Sequence, residues 1–168
     1  MGCGGGVVGG ATSVGCAGVV IGRIKFTERG AKFVDATGVA GALGVAIDQS
    51  NDDVFVADTG HNRVLGWKSA ASFISGGAAD IVIGQADFNS YGCNRNLANP
   101  DANLLCGPVG VAVDGAHRVY VGDTGTNRVL GFAYPFAAHA CNGPSAVLCP
   151  TGVFGQAGSF ISGVANQG

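Results

Sequence analysis

Residues 44–48, GVAID, and 54–66, VFVADTGHNRVLG, return at 110–114 as GVAVD and at 119–131 as VYVGDTGTNRVLG. The first segment recurs after 66 residues and the second after 65, in the same order along the chain. A nearly fixed period of this size indicates a repeat architecture, in which each supersecondary unit needs stacked neighbours to bury its faces. The stretch therefore predicts two structurally equivalent units.

Each unit is predicted to form four short strands joined by turns. The strands of the first unit are expected at 45–47, 54–57, 64–67 and 81–84, and those of the second at 111–113, 119–122, 129–132 and 153–155. Residues 54–57, VFVA, are apolar on both faces, so each small sheet must be covered on both sides. Sheets that cover one another in this way predict an all-β propeller, with complete four-stranded antiparallel blades at 44–84 and 110–155.

The remaining segments are interpreted as parts of the same repeat. Residues 1–43 are expected to be a partial preceding repeat with a Gly-rich loop, a strand at 19–22 and an insert. Further segments are an inter-blade insert at 85–109, an insert at 133–150 within the second blade, and the start of another repeat at 156–168. Two blades alone would each leave one apolar face in water. We therefore expect the remaining blades to come from a longer chain, of which this is a fragment, or from self-association.

Composition and charge exclude some functions. Charged residues are 12% of the chain, Gly occurs 31 times, and the net charge is −2 without any Lys/Arg cluster. The electrostatic footprint of a nucleic-acid-binding protein is therefore missing. Residues 1–22 are uncharged, but nine of them are Gly and no basic segment precedes an apolar run, so neither a signal peptide nor a membrane span is predicted in this chain.

The repeated Asp-Thr-Gly-x-Asn-Arg motif is expected to be structural. Its members are Asp58, Gly60, Asn62 and Arg63 in the first unit and Asp123, Gly125, Asn127 and Arg128 in the second. In each turn the Asp is expected to bind following backbone amides, the Gly to adopt a positive φ, and the Arg to reach the Asp with two hydrogen bonds. An aspartic protease dyad is the functional alternative, but its two copies would lie in separate lobes, much farther apart than 65 residues.

Together with the preceding Gly-Val-Ala-[Ile/Val]-Asp, this motif resembles the NHL repeat, whose blades build β-propellers. The resemblance covers residues 44–67 and 110–132 closely, and it extends to 80–88 and 153–160 through a shared Gly-Gln element. The long inserts resemble the insert-bearing form found in exported bacterial proteins.

Six cysteines occur in three local pairs. The pairs are Cys3 with Cys16, Cys93 with Cys106, and Cys141 with Cys149. Each pair is expected to close a loop that has no strands of its own, and paired cysteines indicate an oxidising compartment. The cysteines therefore predict an extracytoplasmic location: periplasmic, cell-surface or secreted.

Two functions are compatible with this organisation. The first is a non-catalytic scaffold that binds a protein, peptide or glycan through a surface at the second-to-third strand turns, with His61, Tyr91 and Thr126 as contact residues, although solvated turn residues would give the same pattern. The resemblance also implies an alternative: part of a metal-dependent lyase or lactone hydrolase whose site lies mostly in other blades. His61, His117 and His139 do not converge on the predicted strands, so no catalytic residue, metal ligand or cofactor is predicted in this chain.

Overall fold

The computed structural model describes residues 19–23, 33–93, 100–137 and 148–165. Eight strands form two four-stranded antiparallel sheets, each with its strands in chain order. Blade 1 contains β1 Ala42–Ile47, β2 Val54–Asp58, β3 Arg63–Trp67 and β4 Ile81–Ile83, and blade 2 contains β5 Pro108–Val113, β6 Val119–Asp123, β7 Arg128–Phe132 and β8 Gly152–Phe154. The predicted all-β fold with two four-stranded blades is confirmed.

The helical elements within the described ranges are short 3-10 turns, including Thr59–His61 and Thr124–Thr126 between the second and third strands of each blade. None of the helices in the described part of the chain has the length and apolar character needed to cross a membrane.

The strand register divides each sheet into two faces. Val45 pairs with Val56 and Ile47 with Val54, whereas Ala46 pairs with Phe55. Because directly opposite residues of antiparallel strands point to the same side, the first two pairs lie on one face of blade 1 and the third on the other.

The face of blade 1 that carries Phe55 packs against blade 2. The buried residues of this junction are Phe55, Ala57, Val64, Ile83, Leu105, Val119, Val121, Leu130, Phe132 and Leu148. The inner strands β1 and β5 come close together because Gly44 has no side chain: a Cβ there would lie 2.5 Å from the carbonyl oxygen of Val109. The main core of the described chain is therefore the surface between the blades.

The two outward faces differ, which corrects the expectation that both are open. On blade 1, Val54, Val56, Leu65 and Trp67 are buried, and Ile21, Val39 and Phe73 are among the residues packed over them. On blade 2, Phe154 is 54% exposed and Val129 is 37% exposed. The segments before β1 and after β3 thus cover much of this face of blade 1, while the outward face of blade 2 presents apolar side chains to solvent.

The strand predicted at 19–22 is wrong. Residues 19–23 form no strand, since their backbone pairs with a loop: Gly76 N donates to Val20 O, and Val20 N donates to Ser75 Oγ. Gly22 nevertheless has φ +80°, close to the +86° of Gly84 and the +85° of Gly155. These three glycines therefore share a backbone conformation that favours Gly.

Candidate functional site

A buried Asp–Arg pair lies at the turn between β2 and β3. Arg63 Nε donates to Asp58 Oδ2 at 2.8 Å, and both side chains are fully buried. The two terminal nitrogens donate to backbone carbonyls of other segments: Nη1 to Phe88 and Nη2 to Asp35 and Gly38. The guanidinium therefore ties together the turn, the segment before β1 and the segment after β4.

The second blade repeats this arrangement. Arg128 Nε donates to Asp123 Oδ2 at 3.0 Å, Nη1 donates to Phe160 O, and Nη2 donates to the carbonyls of Asp101 and Leu104. The predicted Asp–Arg contact is confirmed in both blades, but only one N–H reaches the carboxylate. The expected bidentate pairing is wrong because the other donors hold neighbouring segments instead.

Burial dominates the electrostatics of the second pair. It raises the pKa of Asp123, although hydrogen bonds from Thr126 Oγ1, Cys106 N and Arg128 Nε favour the ionised form. This carboxylate thus depends on its partners to remain charged inside the protein.

The glycines of the motif act differently from the prediction. The residues with positive φ are Asn62 and Asn127, both at 53°, a region that Asn tolerates better than most side chains. Gly60 and Gly125 are needed for close approach instead, and a Cβ on Gly60 would lie 2.7 Å from the carbonyl oxygen of Ala40. The Asp carboxylates bind backbone amides that precede them in the chain, and not the following amides that were predicted. Asp58 Oδ1 accepts from Ala40 N, and Asp123 Oδ1 accepts from Cys106 N.

The asparagine side chains connect loops across the repeat. Asn62 Nδ2 donates to Tyr91 O at 2.8 Å, and its Oδ1 accepts from Gly107 N at the same distance. Asn127 Nδ2 donates to Gly163 O in the second blade. Asn62 therefore joins the loop after β4 to the segment that enters blade 2.

The structure separates the three residues proposed for a binding surface. His61 is buried, with Nδ1 2.9 Å from Asp58 Oδ2, and Thr126 is buried and donates to Asp123 Oδ2. Both therefore belong to the buried Asp–Arg sites and are not exposed contact residues. Tyr91 is 59% exposed and lies edge-on to His61, with ring centroids 6.5 Å apart.

These two Asp–Arg sites occupy equivalent places in two equivalent blades. The family model for the NHL repeat matches residues 40–67 and 105–132, which include both sites. Both units are NHL repeats. No significant match was found among curated proteins.

A buried glutamine follows the last strand of each blade. Gln85 Nε2 donates to Asn62 O and Gly92 O, and Gln156 Nε2 donates to Asn127 O and Val164 O. Sequence reasoning used the repeated Gly-Gln element only to align the fourth strands, although a glutamine recurring in an apolar context was a signal for a buried role. The two Oε1 atoms have no hydrogen-bond partner within the described ranges.

A polar cluster joins the two NHL repeats at the opposite end of the sheets. His117 Nδ1 lies 2.6 Å from Asp48 Oδ2 and 3.2 Å from Ser50 Oγ. Tyr134 OH donates to Asp53 Oδ2 at 3.0 Å, and its ring packs on the imidazole. Nothing in the sequence indicated this cluster because its members lie up to 86 residues apart, from 48 to 134.

This cluster has no nucleophile–base relay. A Ser-His-Asp triad places the carboxylate on one ring nitrogen and the hydroxyl on the other, whereas both Ser50 and Asp48 contact Nδ1 of His117. Burial raises the pKa of Asp48, but hydrogen bonds from Ser50 and the contact with His117 outweigh it and hold the pKa below its ordinary value. The carboxylate therefore serves as an ionised acceptor between the blades.

Metal and cysteine sites can be assessed for part of the chain. No group of three or more His, Cys, Asp or Glu side chains is placed to hold a metal ion within 19–23, 33–93, 100–137 and 148–165. The Cys93–Cys106 disulfide is confirmed, and Cys149 is disulfide-bonded as well. The other members of the predicted pairs, Cys3, Cys16 and Cys141, lie outside the described residues, as does His139.

Removing the Cys93–Cys106 disulfide should destabilise the chain by about 2–3 kcal/mol, because the bond closes a loop across 13 positions. The disulfide also anchors Cys106, whose backbone N–H donates to Asp123 Oδ1. The test is urea unfolding of a Cys93→Ser/Cys106→Ser variant under oxidising conditions. An unfolding midpoint equal to that of the wild type would contradict the prediction.

Proposed function

We propose that the chain is a non-catalytic NHL-repeat scaffold that binds a protein, peptide or glycan partner, with Tyr91 as the central contact. The observation that carries this proposal is the contrast between the backbone and the side chain of Tyr91. Its carbonyl is held by Asn62, while its ring is largely exposed. An aromatic side chain on an ordered backbone is a suitable interface anchor because little conformational entropy is lost on binding.

The polar residues of the repeats support a structural rather than a catalytic role. Asp58 and Arg63 are fully buried and hydrogen-bonded to each other and to the backbone, and Asp123 and Arg128 repeat the pattern. NHL repeats generally serve as protein-interaction modules. The enzymatic alternative, a metal-dependent lyase or lactone hydrolase, would draw its site residues from blades beyond these two.

We further propose an extracytoplasmic location, as part of a larger exported protein of the insert-bearing type. The Cys93–Cys106 disulfide is compatible with an oxidising compartment. Further blades of the same protein, or further copies, would then complete the propeller.

The binding proposal is tested with ligands selected from a random peptide library and from a glycan array against the immobilised chain. Tyr91→Ala should weaken the selected ligands about tenfold or more, as expected for an aromatic anchor. Phe33→Ala is the matched control, because it removes another exposed aromatic ring from the segment before β1. Unchanged affinity for Tyr91→Ala would overturn the assignment, and metal-dependent hydrolysis of a lactone by the chain would favour the enzyme.

A further inference from the structure

Three glycines with the same backbone conformation each follow a bulky apolar residue. The pairs are Ile21 with Gly22, Ile83 with Gly84, and Phe154 with Gly155. The φ angles of the glycines are +80°, +86° and +85°. Gly22 and Gly84 are buried, whereas Gly155 is exposed. The three places therefore differ in what packs on them.

The middle glycine shows how one blade is joined to the next. A Cβ on Gly84 would lie 2.8 Å from the Cβ of Leu105, and Leu105 N donates to Gly84 O at 3.2 Å. Leu105 lies three residues before β5 and is fully buried, as is Ile83. The end of β4 is thus covered by the segment that enters blade 2.

The first glycine repeats this contact on the opposite face of blade 1. A Cβ on Gly22 would lie 2.7 Å from the Cβ of Val39, which lies three residues before β1 as Leu105 does before β5. Ile21 packs on the apolar cluster of that face. Residues 20–22, the cap, therefore occupy on blade 1 the place that the end of β4 occupies on blade 2.

The third glycine has no such partner within the described ranges. The atoms nearest to a Cβ on Gly155 would be Asn127 O at 3.3 Å and Arg128 Cα at 3.9 Å, both from blade 2 itself. Phe154 is 54% exposed, whereas the equivalent Ile83 is fully buried. The end of β8 therefore presents the same element as the cap, but no entering segment of the described chain covers it.

The cap is attached to blade 1 less firmly than the end of β4 is attached to its sheet. Gly76 N donates to Val20 O at 3.2 Å, and Val20 N donates to Ser75 Oγ at 3.3 Å. Strand β4 is instead paired with β3 over three residues. The cap can therefore leave blade 1 by a local opening that breaks no sheet.

We propose that the cap and the end of β8 from a second copy of this chain compete for one site on blade 1, so that displacement of the cap controls head-to-tail assembly. With the cap in place, Gly22 lies against Val39 and the second copy is excluded. After the cap leaves, Val39 covers Gly155 of the second copy, as Leu105 covers Gly84 within the chain. The inference goes beyond the scaffold function and rests on contact between copies through the outward face of blade 2.

The same substitution at two equivalent glycines tests the competition. Gly22→Val places a side chain against Val39 and keeps the cap off blade 1. Copies should then associate about tenfold more tightly, the factor for a cap that is closed in about nine-tenths of the chains. Gly155→Val obstructs the contact with the second copy and should weaken association about tenfold or more. Sedimentation equilibrium of the full 168-residue chain measures both dissociation constants.

The matching φ angles of Gly22 and Gly155 make the backbone strain of the two valine variants similar. Serine variants of the preceding residues avoid that strain: Ile21→Ser should tighten association and Phe154→Ser should weaken it. Phe33→Ser is the control, because it removes an exposed apolar side chain outside both elements. Each variant is first compared with the wild type by thermal unfolding.

Tryptophan fluorescence detects the cap without relying on association. Trp67 is the single tryptophan of the chain, and it lines one cavity together with Ile21. In dilute, monomeric samples, Gly22→Val should shift the emission to longer wavelength because water reaches the ring. Unchanged emission, or association no tighter than in the wild type, would overturn the cap even if Gly155→Val weakens association. Unchanged association in both Gly155→Val and Phe154→Ser would instead refute the contact with the second copy.

Discussion

Replacing Arg128 with alanine is expected to lower the free energy of unfolding by about 3–5 kcal/mol, the usual effect of removing one partner from a buried ion pair. The variant leaves Asp123 fully buried without its cation, and burial already raises the pKa of this carboxyl. The backbone carbonyls of Phe160, Asp101 and Leu104 lose their donor as well. Urea unfolding followed by tryptophan fluorescence, using Trp67, measures the change.

Arg118→Ala provides a matched control for this variant. Arg118 Nε donates to Asp114 Oδ2 at 2.8 Å, a shorter distance than in the buried pair, but its side chain is 56% exposed. Its replacement should leave the unfolding midpoint nearly unchanged because water replaces the lost contact. Equal effects of the two replacements would mean that burial does not determine the role of Arg128.

A double variant separates the effect of the buried Asp123 charge from the effect of the hydrogen bonds that Arg128 donates. In Arg128→Met/Asp123→Asn, no uncompensated charge is buried, so part of the stability lost in Arg128→Ala should return. Further loss in the double variant would show instead that the hydrogen bonds of the guanidinium to the backbone carry most of the stabilisation.

The isolated 168-residue chain is expected to associate head to tail in solution. Gly44 in β1 and Gly110 in β5 occupy equivalent positions in the two blades. A Cβ on Gly44 would lie 2.5 Å from the carbonyl oxygen of Val109, whereas a Cβ on Gly110 meets no atom within 4 Å. Strand β5 therefore packs against blade 1 at Gly44, whereas the equivalent position of blade 2, at Gly110, is open. The exposed Val45 and Ile47 of another copy can pack at this open position.

The apolar surface supplies the driving force for this association. Leu43 and Val45 are 65% and 66% exposed on blade 1, and Phe154 is 54% exposed on blade 2. Burying several hundred Å² of such surface contributes on the order of 10 kcal/mol before the entropy of association is subtracted. Light scattering coupled to size-exclusion chromatography should therefore report species larger than 16.6 kDa at micromolar concentration.

Two glycine variants distinguish this contact from the junction inside the chain. Gly110→Val should remain folded, because the added methyl groups enter open space, but it should shift the chain toward the monomer. Gly44→Val should instead lower the stability by about 1–3 kcal/mol or more, because the side chain collides with the β5 backbone. A wild-type chain that is a stable monomer with cooperative unfolding would refute the prediction.

The sequence by itself determined the repeat, its strands and the local contacts within each turn. The observed strands begin and end within a few residues of the predicted ones because apolar runs and turn residues act over short distances. The contact between Arg63 and Asp58 and the disulfide between Cys93 and Cys106 were predicted for the same reason. In each case the partners are close in sequence, so few arrangements of the chain keep them apart.

The tertiary structure decided how each repeated residue is used. His61 and Thr126 occupy a turn that looks solvated in the sequence, yet loops from distant parts of the chain bury both. The contact between His117 and Asp48 spans 69 positions and exists only because blade 2 stacks on blade 1. Gly44 and Gly110 have the same sequence context, but only one of them lies against a neighbouring blade. Local preferences are set by neighbouring residues, whereas burial and long-range pairing depend on which surfaces meet after the sheets have formed.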